Sequence, residues 1–217
     1  MLEIKSRKEF IEHFGVKVIP CGRDKKPYGK WNEATINSDI ASDCYACFAG
    51  GTRYKGGVIV VVDLDNHNGT LETGRTFWDR QLMEDETFTV RTPSGGEHLY
   101  FLAAIEQICQ LEEISKTGTR LAEEVEIFWN GKHLNNGPFS QTNVGNYTIE
   151  KCLDLAPLPE RVIFLYQKII ESKKKTSFSQ RSVSNITEME QRVIIEELEC
   201  LASDGEFDDY DTIKHYP

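Results

Sequence analysis

The period of hydrophobic and polar positions changes several times along the chain, and each change predicts an element. Phe10, Ile11 and Phe14 recur at helical spacing behind Ser6-Arg7-Lys8-Glu9, which has the form of a capping box, and Gly15 can end that helix. Val16-Lys17-Val18-Ile19-Pro20 then reads as a short strand. The polar, basic stretch from Arg23 to Trp31 has no period and reads as a loop. Val58-Ile59-Val60-Val61-Val62 is a β-branched run behind Gly56-Gly57, the pattern of a buried strand. Leu71 to Met83 predicts a helix with Phe77, Trp78 and Leu82 on its buried side. Thr87 to Arg91 and Glu97 to Phe101 predict two strands joined by the turn-rich Thr92-Pro93-Ser94-Gly95-Gly96. Glu124 to Trp129 alternates cleanly as another strand, and Val144 to Ile149 does so more weakly. Pro157-Leu158-Pro159-Glu160 opens an amphipathic helix that runs to about Lys173.

These elements define an α/β (α+β) body over residues 1–171, with a mixed sheet flanked by helices. The Ser/Lys-rich stretch 172–187 reads as a linker. Residues 188–217, with a short amphipathic helix from Met189 to Leu201 and an acidic end, read as the beginning of a second helical module. More helices are expected beyond it in a longer protein.

Composition narrows the class only slightly. A chain of 217 residues supports one good-sized domain with a small appendage. No apolar stretch approaches the roughly 20 residues of a membrane span. The N-terminus lacks a signal-peptide pattern, so the cytoplasm is the expected location and no membrane partner is expected. The net charge of −10 is concentrated at the C-terminal end: Ile186 to Pro217 holds ten acids against Arg192 and Lys214. The remaining body is close to neutral, so charge neither supports nor excludes a DNA partner. The six cysteines are scattered apart from Cys44-Tyr45-Ala46-Cys47, a lone pair without a second pair to complete a zinc site. Reduced, buried thiols are expected.

The chemistry begins at Asp63-Leu64-Asp65, which ends the hydrophobic run. Alternation along a strand points both carboxylates to the same side, where their repulsion is relieved by a hard cation such as Mg²⁺ or Mn²⁺. An exposed Asp/Asn-rich loop through Gly69 is the competing reading. Downstream, the flexible Ser94-Gly95-Gly96 backbone can offer N–H groups to an anion, His98 follows at the start of a strand, and Glu126 lies on another. Taken singly, His98 fits a core histidine, Glu126 the wet face of a strand, and residues 92–96 a plain hairpin turn. Asp63, Asp65 and Glu126 on neighbouring strands would together supply three carboxylates for one or two cations.

Val62-Asp63-Leu64-Asp65, then Thr92-Pro93-Ser94-Gly95-Gly96-Glu97-His98-Leu99-Tyr100-Phe101, then Val125-Glu126-Ile127 resemble the three motifs of the primase-polymerase (prim-pol) domain. That domain belongs to the archaeo-eukaryotic primase superfamily, common in plasmid and viral replication proteins. The resemblance extends through Gly15 to Pro20, Lys26-Pro27, Trp31, Gly50-Gly51-Thr52, Gly137-Pro138-Phe139-Ser140 and Tyr147, covering roughly residues 8 to 160. It implies a template-dependent nucleotidyltransferase, a DNA primase and DNA polymerase, that makes and extends primers with Mg²⁺ or Mn²⁺. Its partners would be a single-stranded template and primer, nucleoside triphosphates, and a helicase or helical module further along a longer chain.

By the same resemblance, Asp63 and Asp65 match the first two metal-binding acids, Glu126 the third, where many members carry Asp, and His98 the histidine that binds nucleotide phosphate. Ser94, Gly95, Gly96, Lys26 and Arg53 are the expected further nucleotide contacts. Lys30, Lys55, Arg91 and Lys132 are weaker candidates, with Tyr28 and Trp31 as possible base-stacking residues. A non-catalytic DNA-binding module of a replication initiator and a metal-dependent nuclease are the alternatives.

Overall fold

The computed structural model describes residues 2–67, 73–81, 86–114, 120–133 and 135–171. Leu71, Leu82 and Met83, the linker at 172–187 and the helical module at 188–217 lie outside the described residues. The chain divides into a unit Met1–Ile170 and a unit Glu171–Pro217.

Helix α1 (Arg7–Phe14) starts where expected. The Ser6 side chain accepts from the Glu9 N–H, and Gly15 closes the helix in the left-handed conformation. A three-stranded sheet follows from β1 (Val18–Cys21), β2 (Cys44–Cys47) and β9 (Asn135–Asn136) in the order β1-β2-β9. The main sheet contains β3 (Arg53–Tyr54), β4 (Gly57–Leu64), β5 (Phe88–Arg91), β6 (Glu97–Ala103), β7 (Arg120–Ala122), β8 (Val125–Phe128), β12 (Thr148–Lys151) and β13 (Ala156–Pro157). Its order is β12-β5-β6-β4-β8-β7, with β3 pairing β4 and β13 pairing β6 in parallel. A small hairpin joins β10 (Gln141–Thr142) and β11 (Gly145–Asn146).

The apolar run of β4 is central because both faces of the main sheet are covered. Ile59 and Val61, with Phe88 and Tyr100 of the same sheet, face a cluster to which α1 brings Phe10 and Phe14 and the smaller sheet Tyr45. Val60, Val62 and Leu64 face a second cluster with Trp78, Phe101, Trp129, Val162 and Tyr166. The latter comes partly from α2 (Gly74–Arg80) and from the helix at residues 160–171 (α4).

Helix α2 occupies the middle of the predicted 71–83 segment. Thr73 caps it by accepting from the Thr76 N–H, so within the described residues it starts later than periodicity alone indicates. The region of Val144 to Ile149 divides into β11 and the start of β12, because Tyr147 donates its N–H to the Ser140 carbonyl and its carbonyl accepts from the Phe139 N–H, so neither bonds a strand partner. Helix α3 (Ile105–Ile114), β2 and several two-residue strands have no counterpart in the sequence-based reading.

Candidate active site

The site lies at the C-terminal end of β4. In register, Asp63 stands opposite His98 of β6 on one side and Glu126 of β8 on the other. Directly opposed residues project to the same face, so the three side chains form one row across three adjacent strands. Asp65 follows just beyond the strand end. Its backbone is fixed by an N–H donated to the Glu124 carbonyl (2.9 Å) and a carbonyl that accepts from Gly74 (2.9 Å).

Close backbone packing explains two glycines here. A Cβ on Gly96 would collide with the Leu64 carbonyl oxygen, and one on Gly74 with the Glu124 carbonyl and Leu64 Cα. The acid-bearing strand end is therefore gripped between the β5–β6 hairpin and the start of α2. In that hairpin Thr92 donates to Gly96 (2.9 Å), Gly95 donates to Thr92 (3.1 Å) and Gly95 has φ of 87°. The N–H groups of Ser94 and Gly96 have no acceptor among the described residues.

His98 is buried, with Nε2 3.5 Å from Asp63 Oδ1 and Nδ1 3.4 Å from the Asn135 amide nitrogen, which also donates to the Tyr100 hydroxyl at 3.0 Å. Burial pushes its pKa down to about 4, so the imidazole is neutral at pH 7. Accepting from Asn135 at Nδ1 leaves the proton on Nε2, the atom that faces the carboxylates. Burial, reinforced by Glu126, pushes Asp63 up to about 7. Asp65 is also raised, by burial and then by Asp63.

Asp63 Oδ1 is buried and has no hydrogen-bond partner among the described residues. A buried carboxylate oxygen without a donor is costly, and a divalent cation removes that cost. The donor set thus fits a hard metal ion. Among the described residues, one trio of ligating atoms lies within 4.8 Å of one another: Asp65, His67 and Glu124. His67 Nδ1 is 2.7 Å from Glu124 Oε2, and that bond holds the His67 pKa above its usual value. The sequence-based reading places Asp65 at a metal site but neither His67 nor Glu124, which lies in the turn just before β8.

The expected basic contacts are dispersed. Lys26 is exposed and pairs with Asp24 (3.4 Å). Arg53 pairs in register with Val58, five residues before Asp63 on β4 and roughly 17 Å away by strand rise. It lines a cleft with Lys17, Phe48 and Gly131. Arg91 pairs with Glu97 and Glu150, and Lys55 with Asp154. Lys30 and Lys132 are exposed and Tyr28 projects into solvent, while the Trp31 side chain lies outside the described ones.

Arg120 pairs with Glu126 at 3.6 Å, and Lys25, beside Lys26, is a second cation at the edge of the site. Its Nζ lies 5.5 Å from the centroid of the Tyr147 ring, which in turn lies 5.6 Å from the His98 ring. Cys44 and Cys47, three apart on a strand, point into different clusters and do not converge.

Carboxylates and a neutral histidine at one strand end, beside a hairpin with spare N–H groups, define a site suited to cations and phosphates. Residues 7–161 match the Prim-Pol family, described as bifunctional DNA primase/polymerase, N-terminal, and the chain belongs to that family. Its function is therefore of the primase/polymerase type used in replication, with DNA and nucleotides as the substrates such a domain handles. No curated protein matches the chain. Among the described residues, no helix is long and apolar enough to cross a membrane.

Proposed function

We propose that this chain is a template-dependent nucleotidyltransferase that synthesises primers and extends them, in the replication of a plasmid, virus or other mobile element. The observation that carries the reading is the row His98–Asp63–Glu126, with a buried, unpartnered oxygen on its central acid. Asp63, Asp65 and Glu126 are the residues that would hold Mg²⁺ or Mn²⁺. When bound, the cations lower the pKa of a primer 3′-hydroxyl and offset the charge of the triphosphate.

The chain's own groups supply position. His98, neutral and protonated on Nε2, donates to a phosphate oxygen of the incoming nucleotide. The Ser94 and Gly96 N–H groups, together with the Gly95 backbone, cradle the same triphosphate from the hairpin. Asn135 holds the His98 tautomer that makes this donation possible. As the 3′-oxygen attacks the α-phosphorus, the bond to the bridging oxygen breaks and pyrophosphate leaves, so donors aimed at the β- and γ-phosphates stabilise the departing charge.

A labelled primer–template with Mg²⁺ or Mn²⁺, with and without nucleotides, tests this. Lengthening that disappears in Asp63→Ala/Asp65→Ala supports a polymerase. Shortening would instead make the chain a nuclease. Salt-dependent binding with neither change would make it a DNA-binding module.

A further inference from the structure

We propose that Lys25 binds the triphosphate of the incoming nucleotide, presented to the site by a strained turn and by Tyr147; this rests on the nucleotidyltransferase reading and adds a residue to it.

The segment between β1 and the bridge of Cys21 with Pro27 is a closed turn. Gly22 donates to the Lys26 carbonyl and Lys25 to the Gly22 carbonyl, both at 2.9 Å. Lys25 sits at its tip with φ of 67°, a left-handed conformation that costs a non-glycine residue about 1 kcal/mol or more. Neighbouring charges do not account for it. Arg23 is paired with Asp43 (2.6 Å) and Lys26 with Asp24 (3.4 Å), whereas Lys25 has no carboxylate partner among the described residues.

Its ammonium lies instead over the face of Tyr147, which is 4 % exposed and packs against His98. The connection runs onward from His98 Nε2 to Asp63 at 3.5 Å. A lysine that spends backbone strain to bring an unpaired charge to the edge of a carboxylate site is placed for a polyanion that enters with its own cations. The triphosphate meets that description, and its phosphates must come to His98 and the glycine hairpin in any case. Tyr147 is a positioning residue: its ring face carries the ammonium and it makes no contact with the reacting atoms.

The test is nucleotide binding in Ca²⁺, without turnover, measured by calorimetry for dNTP, dNDP and dNMP on the 217-residue chain. Losing one charge-assisted contact should weaken dNTP binding by about ten- to a hundredfold in Lys25→Met. The dNMP affinity should be unchanged, and Lys25→Arg should restore much of the loss. Tyr147→Leu should weaken dNTP binding less, and add little when combined with Lys25→Met. Primer–template affinity without nucleotide should stay within about twofold. Unchanged dNTP affinity in Lys25→Met overturns the proposal. So does a loss of primer–template affinity alone, which would place Lys25 on the DNA backbone. So does a wild-type chain that binds no triphosphate. If triphosphate binding depends on Lys25 but no primer is extended, this proposal stands and the polymerase reading falls.

Discussion

Two acids on neighbouring strands, the buried Glu97 and the half-buried Asp63, are treated in opposite ways. Glu97 faces one side of the main sheet, where Arg75 and Arg91 meet its carboxylate, the latter at 3.3 Å. Asp63 faces the other side, beside a neutral histidine and a second acid, and among the described residues one of its oxygens has no hydrogen-bond partner. Among the described residues, a pair of arginines balances the first charge, and no cation pairs with the second. Burial alone therefore does not mark function; a buried charge that the fold leaves unmatched does. Glu124 is an intermediate case, matched by an exposed histidine.

Substitutions can break that comparison. The largest effect is expected from Asp63→Ala/Asp65→Ala, which should lower primer extension by about a thousandfold or more while leaving the circular dichroism spectrum intact; extension near the wild-type rate would place the centre elsewhere. Glu97→Gln should do the reverse. It should destabilise the fold by about 3 kcal/mol, because two arginines lose a buried partner, while the folded fraction keeps its activity. A denaturant titration reads this directly, and an inactive but fully stable variant would contradict the structural role.

Asp63→Asn sharpens the contrast through pH. A carboxyl raised from 3.8 to about 7 on folding takes up protons as the chain folds. In chelator, wild-type stability should therefore fall as pH rises from about 4 to about 7 and then level off. Asp63→Asn should lack that slope and be the more stable protein at pH 8, by about 4 kcal/mol. Equal slopes for the two proteins would show that Asp63 ionises without penalty. Smallest is His98→Ala, expected to raise the nucleotide KM about tenfold with a lesser change in kcat; an unaltered KM would remove His98 from the phosphate contacts.

The sequence was most legible where one period prevailed. The β4 run, the β5–β6 hairpin and the capped α1 are local patterns, and each folds close to its predicted bounds. The family was legible for the same reason, since its motifs lie on those elements. What could not be read depends on pairing between distant segments. The register that sets Asp63 against both His98 and Glu126 follows from which strands adjoin, and one sequence does not print that. Lys25 was passed over for Lys26 because neighbours in a loop are equivalent until φ is known. Helix α3 escaped notice because it buries only Leu111 fully, too little for a strong apolar stripe.

The strand order also fixes when the centre can exist. Asp63 leaves the ribosome well before His98, and His98 well before Glu126, yet β4 needs β6 and β8 on its two sides. Tyr45 waits longer still, for the Pro138 carbonyl to which its hydroxyl donates, and β5 for its partner β12. A nascent chain that stops at residue 120 has both leading acids and the glycine hairpin, but the edge of β4 meant for β8 is open to water. Asp63 is then an ordinary surface acid. Its raised pKa and buried oxygen are expected only once the second half of the domain pairs with the first, so cation binding is expected to report completed folding.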